Sequence, residues 1–277
     1  FFFVNPRHTF AVADTRDFLT FGIMLAVALL ISTLTLRIRA QAKMISDRER
    51  RAESEKTRST LLSSISHDLR TPLAAIAGAA SALVENRTLS EANRNELAQT
   101  IWDEAEHLST TVRKVLDLTR LESERLQIKC EWQSLEELIG AAASRTSELL
   151  GSREVEIKLA CDLPLLYLDG VLVEQLLVNL LENAARHTPA DSHILVSAAP
   201  SPQGVELFVE DNGPGLKNGE EELIFDKLYR GGARKSRGFG LGLSICRAIM
   251  RLHGGTISAS NSAGGGARFR LTFPRKE

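Results

Sequence analysis

Near the start of the chain apolar residues run together, then thin out, then return at helical spacing. From Phe18 to Leu36 the stretch "FLTFGIMLAVALLISTLTL" holds no charge, and about 20 such residues in a helix cover the apolar thickness of a bilayer. A transmembrane helix is expected there. Arg37, Arg39 and Lys43 follow at once, whereas Asp14, Arg16 and Asp17 precede it with mixed sign, so the basic end should face the cytoplasm. "RIRAQAKMISDRERRAESEKTRST" then continues without Gly or Pro, which predicts a polar helical linker over 37–60. Ile38, Ile45 and Ala52 recur at heptad spacing, but Gln41, Arg48 and Glu55 interrupt the seam, so any coiled coil there would be weak.

Leu61 to Val84 turns apolar and alanine-rich, and "ENRTLSEAN" ends that pattern with turn formers and a candidate N-cap at Ser90. A second helix is expected from Ala92 to about Leu121, with Leu97, Ile101, Leu108, Val115 and Leu118 on one face. Two long helices joined by a short loop cannot bury both seams alone. Pairing two such hairpins into a four-helix bundle solves this, so a homodimer is expected.

Beyond Leu126 the period changes to two. "VEIKLA", "HILVSAA", "VELFVED" and "ARFRLTF" alternate as strands do, and helical stretches are expected at 135–150, 171–187 and 241–253. The reading is an α+β domain with one antiparallel-looking sheet and helices on one face. The chain thus divides into 1–36 with the membrane span, a 37–60 linker, a 61–126 helical hairpin and a 127–277 α+β domain. Because it begins at Phe1, it is expected to be part of something longer.

Composition narrows the classes. With 34 Lys and Arg against 35 Asp and Glu, net charge is -1, which offers no basic field for a nucleic-acid backbone. Cys130, Cys161 and Cys246 lie far apart with no metal-ligand spacing, and are expected to be buried thiols in a reducing compartment.

Candidate chemistry begins on the helix 171–187. Val173, Leu176, Leu177, Leu180, Leu181 and Ala184 share one side, and Gln175, Asn179, Glu182, Asn183 and Arg186 share the other. Asparagine is a weak helix former, so two of them one turn apart suit a ligand better than water. Their amide oxygens suit a hard cation such as magnesium. "DNGPGL" (211–216) and "GFGLGL" (238–243) follow. Asp211 could accept from an adenine amino group beside Gly213 and Gly215, and the second cluster opens a helix whose N-terminus can receive phosphates.

Taken in order, these motifs resemble the histidine-kinase branch of the gyrase, Hsp90, kinase and MutL ATPase superfamily. "NLLENAARH" resembles its N box, "DNGPG" its G1 box, "FDKLYR" its F box and "GFGLGL" its G2 box. The resemblance implies an α/β sandwich binding ATP and Mg2+, with Asn183 on the metal and Asn179 supporting it. It places Asp211 on adenine, Gly213 and Gly215 around the base, and Gly238, Gly240 and Gly242 against the phosphates. The segment 219–237 resembles the mobile lid, with Arg230, Arg234, Lys235 and Arg237 as counter-charges. Arg186 stands where lysine is common, and Tyr229 replaces the usual phenylalanine.

"SHDLRTPL" resembles the H box of the same kinases. It implies that His67 accepts the phosphoryl group, that Asp68 holds its other ring nitrogen, and that Thr71 helps place water in dephosphorylation of a partner. Pro72 removes the N–H that would bond the Asp68 carbonyl, so a bend is expected just after His67. The membrane end, "SHDLRTPLAAIAGAASALVE" and "IFDKLYRGG" further resemble the KdpD-type potassium sensors. That implies a bacterial inner-membrane kinase passing phosphate to an aspartate of a KdpE-type response regulator, in potassium or turgor sensing. Glu124 stands where the wider family commonly has glycine. A superfamily ATPase and a nucleotide-binding membrane scaffold are the competing readings. The first is disfavoured because Asn179 occupies the place of the water-activating glutamate, and the second by the intact His67 motif.

Overall fold

The structure, a computed structural model of the chain, describes residues 15–86, 89–123, 126–231, 239–262 and 264–276; the side chains of 15–20, 38, 40, 42, 45–65, 67 and 68 lie outside that description. The chain forms two compact units, Phe1–Leu62 and Ser63–Glu277.

Helix α1 covers Thr15–Glu85 and passes through both expected helical stretches and the linker between them. In the first unit its apolar side chains from Phe21 to Leu36 point outward, Leu30 being 66% exposed. Among the described residues no helix is long and apolar enough to cross a membrane; the side chains of the 18–36 stretch enter that set only from Phe21 onward.

In the second unit α1 continues without a break through Pro72, which is buried. Proline removes one ladder bond but does not stop a helix whose neighbouring turns are otherwise complete. Helix α2, Glu91–Leu121, starts where expected because the Ser90 hydroxyl accepts the Asn93 N–H at 3.2 Å. Thr111, Leu118 and Leu121 bury its C-terminal half, while Trp102 and Leu116 remain 66% and 62% exposed.

Strand β1 (Glu131–Gln133), helix α3 (Leu135–Leu150), β2 (Glu154–Leu159) and β3 (Leu166–Leu168) follow. Then come α4 (Gly170–His187), β4 (His193–Ser201), β5 (Gly204–Asp211), a 3-10 turn (Leu223–Phe225), α5 (Gly242–Leu252), β6 (Thr256–Asn261) and β7 (Ala267–Pro274). The sheet corrects the expectation of one antiparallel layer. The main sheet runs β2-β4-β5-β7-β6 with β2 and β4 parallel, and β1 and β3 form a separate antiparallel ribbon. The long connection from β2 to β4, through β3 and α4, allows that parallel pair.

Period-two alternation sets what faces the helices. Val205, Leu207, Val209 and Asp211 of β5 are all buried, as are Ala267, Phe269, Leu271 and Phe273 of β7. Asp211 therefore lies on the core face at the end of its strand, beside α4. At about 25 cal/mol per Å2 of apolar area, the three helices over this face and the phenylalanines beneath supply the main driving force for the fold.

The cysteines divide, contrary to the sequence expectation. Cys246 is buried, Cys130 is half-buried and Cys161 is exposed. Cys161 sits in the turn after β2, where no helix covers it.

Candidate nucleotide site

Helix α4 is positioned from both ends. At its start the Asp169 carboxylate accepts the Leu172 N–H at 3.3 Å and the Lys129 N–H at 3.0 Å. At its end Arg153 donates to the carbonyls of Ala185 (2.6 Å) and Thr188 (2.7 Å), to the Thr188 hydroxyl (3.0 Å), and to the Leu150 carbonyl that closes α3 (3.1 Å). The helix is held where its polar stripe meets α2, α5 and the end of β5. The stripe is not a solvated face: Asn179 is 6% exposed, and its amide Nδ2 has no protein partner. Buried donors without a partner are rare in folded proteins, which sets Asn179 apart from a core or surface asparagine.

A cavity of about 450 Å3 opens beside it and gathers Asn179, Asn183, Arg186, Asp211, Gly215, Arg230, Gly240 and Gly242. These are sequence-predicted site residues from four separate stretches. At one end Asp211 Oδ1 accepts the Gly213 N–H at 2.9 Å and the Ala267 N–H at 3.2 Å. Two backbone donors fix that oxygen and orient the carboxylate's other oxygen. Gly213 stands behind it, with no room for a side chain against Thr188 and His187. At the other end the Asn179 amide oxygen faces Gly242, the first residue of α5. Gly240 holds φ of +64°, and a Cβ there would lie 2.5 Å from the Tyr229 carbonyl, so only glycine closes this turn. Tyr229 donates its hydroxyl to Glu220 at 3.1 Å, and burial together with Glu220 pushes its pKa up.

His187 lines the cavity at its Asp211 end. Although exposed at the cavity edge, its pKa is lowered, first by the protein crowding the ring and then by Arg186, with Asp211 opposing. Helix α2 supplies a wall that the sequence reading did not foresee: His107, Thr110, Thr111 and Lys114 also line the cavity. Lys114 pairs with Glu182 at 2.7 Å, Gln175 donates to Asp117 at 2.7 Å, and the His107 ring meets Phe239 tilted at 49°, 5.2 Å between centroids. Lys114 points along the same face as Thr111, one turn earlier, and that spacing was the available signal.

His67 and Asp68 lie on α1 with their side chains outside the described residues, and Thr71 is exposed one turn on. Arg234, Lys235, Arg237 and Gly238 lie outside the described residues, as does Glu124. Among the described residues no group of three or more His, Cys, Asp or Glu could hold a metal ion.

Residues 168–277 match the family "Histidine kinase-, DNA gyrase B-, and HSP90-like ATPase", and residues 57–124 match "His Kinase A (phospho-acceptor) domain". Residues 1–48 match a domain of unknown function. "Sensor protein KdpD" of Escherichia coli K12 is 40% identical over 98% of this chain and 30% of its own length. The chain belongs to the sensor histidine kinases of the KdpD type.

"Sensor protein KdpD" of Clostridium acetobutylicum is 36% identical over 81% of this chain and 25% of its own length. The chain therefore spans less than a third of either relative. Among solved structures, the Acinetobacter baumannii histidine kinase AdeS shares the fold with a TM-score of 0.63 over 76% of this chain and 98% of that one, at 24% identity. Full-length ShkA in complex with AMPPNP matches with a TM-score of 0.57 at 26% identity, over 78% of this chain and 46% of that one.

Proposed function

We propose that this chain is the catalytic end of a membrane-embedded, two-component sensor histidine kinase, which transfers the terminal phosphoryl group of ATP to His67. The observation that carries the reading is the one cavity in which Asn179, Asn183, Asp211, Gly215, Gly240 and Gly242 meet, lined by an asparagine whose buried amide donor has no protein partner. The AMPPNP named with ShkA supports a nucleotide there. In this reading Asp211 takes the adenine amino group, with Gly213 and Gly215 shaping the base pocket. The α5 N-terminus and Gly238, Gly240 and Gly242 receive the phosphates, and Asn179 donates to one of them. Arg186, Arg230, Lys235 and Arg237 are the counter-charges.

The residues fit magnesium in one respect. Asn183 lines the cavity and carries an amide oxygen, no carboxylate cage competes among the described residues, and a hard cation that shares phosphate oxygens needs few protein ligands. Bound there, Mg2+ would neutralise charge on the phosphates. His67 attacks phosphorus through one ring nitrogen while Asp68 takes the proton of the other. Transfer otherwise needs alignment more than covalent help.

The phosphohistidine then serves an aspartate of a KdpE-type response regulator, in potassium or turgor sensing. Thr71 and the bend expected at Pro72 would act in a phosphatase reaction on that partner. We assign 61–126 to dimerisation and phosphotransfer and 127–277 to ATP binding. The exposed Trp102 and Leu116 support burial by a second copy. The uncharged 18–36 stretch, with its apolar side chains exposed from Phe21, supports a membrane span that leaves 37–60 as a linker and the kinase domains in the cytoplasm.

The full chain in detergent, incubated with γ-labelled ATP and Mg2+, tests this. Label that is acid-labile, alkali-stable and absent from His67→Gln is expected. ATP turnover without labelled protein would overturn it in favour of a superfamily ATPase, and nucleotide binding without either in favour of a scaffold.

A further inference from the structure

The nucleotide cavity is not built by the α+β domain alone. Helix α2 closes one side, and its Lys114 is the residue there that carries a positive charge into the cavity. Lys114 pairs at 2.7 Å with Glu182, which sits one residue before Asn183 and three after Asn179. Both side chains are about three-quarters withdrawn from solvent, at 22% and 27% exposure. The lysine therefore sits beside the stretch of α4 between the asparagines, and not at the Asp211 end.

Its neighbourhood agrees. Gly242 and Leu243, at the start of α5, line the same cavity as Lys114. Partial burial strengthens an ion pair but also makes it sensitive to a competing charge. A nucleotide triphosphate is a denser anion than one carboxylate, and an ammonium on a flexible stem can turn from one to the other.

Resting on the nucleotide reading above, we propose that Lys114 is a phosphate-positioning residue supplied by the hairpin, which Glu182 holds until nucleotide enters and which then transfers its contact to the outer phosphates. Glu182 is then a competitor for the lysine. Nucleotide binding and the seating of α2 on the α+β domain become linked, because the same ammonium serves both.

If the pair were only a structural clasp, removing either charge would act the same way. If Lys114 contacts phosphate, the two variants move apart. Calorimetric binding of ATP and of ADP, each with Mg2+, is measured on the full chain in detergent for wild type, Lys114→Met and Glu182→Gln, with melting curves to confirm folding. Lys114→Met should weaken ATP by about tenfold, as loss of a charged hydrogen bond does, and weaken ADP less. Glu182→Gln should tighten ATP several-fold. Shifts of the same sign in both variants, or an unchanged ATP to ADP ratio in Lys114→Met, would overturn the inference while leaving the nucleotide site intact. If Lys114→Met fails to fold, Glu182→Gln decides alone, since weaker or unchanged ATP binding contradicts the proposal. Absence of ATP binding in wild type would instead sink the functional reading itself.

Discussion

Asn261 holds Leu216 by both of its backbone groups: its amide oxygen accepts the Leu216 N–H at 2.6 Å and its Nδ2 donates to the Leu216 carbonyl at 2.9 Å. The last residue of β6 thus pins the glycine turn that follows Asp211. Asn261→Ala removes both bonds from an exposed site, so stability should fall by only about 1 kcal/mol. The larger effect is expected on nucleotide affinity, several-fold weaker as the turn loosens. Fluorescent nucleotide titration checks this, and unchanged affinity with a lowered melting point would confine Asn261 to stability.

Arg153 satisfies carbonyls that close both α3 and α4. Helix-end carbonyls buried without partners are costly. Arg153→Ala should destabilise the α+β domain by about 2 kcal/mol, seen as a lower urea midpoint by tryptophan fluorescence. Arg153→Lys should restore little, because one ammonium cannot span the fork.

Gly266 and Gly264 share a turn and should respond oppositely. Gly266 has φ of +84°, and a Cβ there would lie 1.8 Å from the Asp211 carbonyl oxygen, whereas at Gly264 a Cβ meets nothing within 4 Å. Gly266→Ala must push back the backbone that carries Asp211, so it should abolish nucleotide binding or folding. Gly264→Ala should bind as wild type does. Parallel calorimetry of the two variants settles the comparison, and equal behaviour would contradict the packing described.

The thiols should separate by reactivity. Burial pushes Cys246 up to about 12, and the thiolate is the reacting form, so at pH 8 roughly one thiol in ten thousand is ionised there. Burial also raises Cys130, while Cys161 is exposed. A disulfide reagent at pH 8 should label Cys161 first, Cys130 more slowly and Cys246 only in denaturant. Mass spectrometry of time points shows the order, and early labelling of Cys246 would mean α5 opens readily from its Leu176 contact.

Hydrophobic period alone located α2, α4 and α5 to within a residue or two and the strands β4, β5 and β7, because burial on one face imposes that period on the sequence. Alternation in "VELFVED" is compatible with the shared face of Val209 and Asp211 that the strand shows. It did not give the parallel partnership of β2 with β4, since pairing direction depends on how far the connection travels and leaves no trace in either strand.

The candidate site divides in the same way. Asparagines one turn apart, an aspartate before glycines and glycines before a helix are local features, and each was legible because backbone geometry and residue chemistry act over a few positions. The burial of Asn179, the fork of Arg153, the need for Gly266 and the presence of Lys114 in the cavity were not. Each depends on an atom brought up from a distant segment, and only packing decides what lies within 3 Å of a side chain.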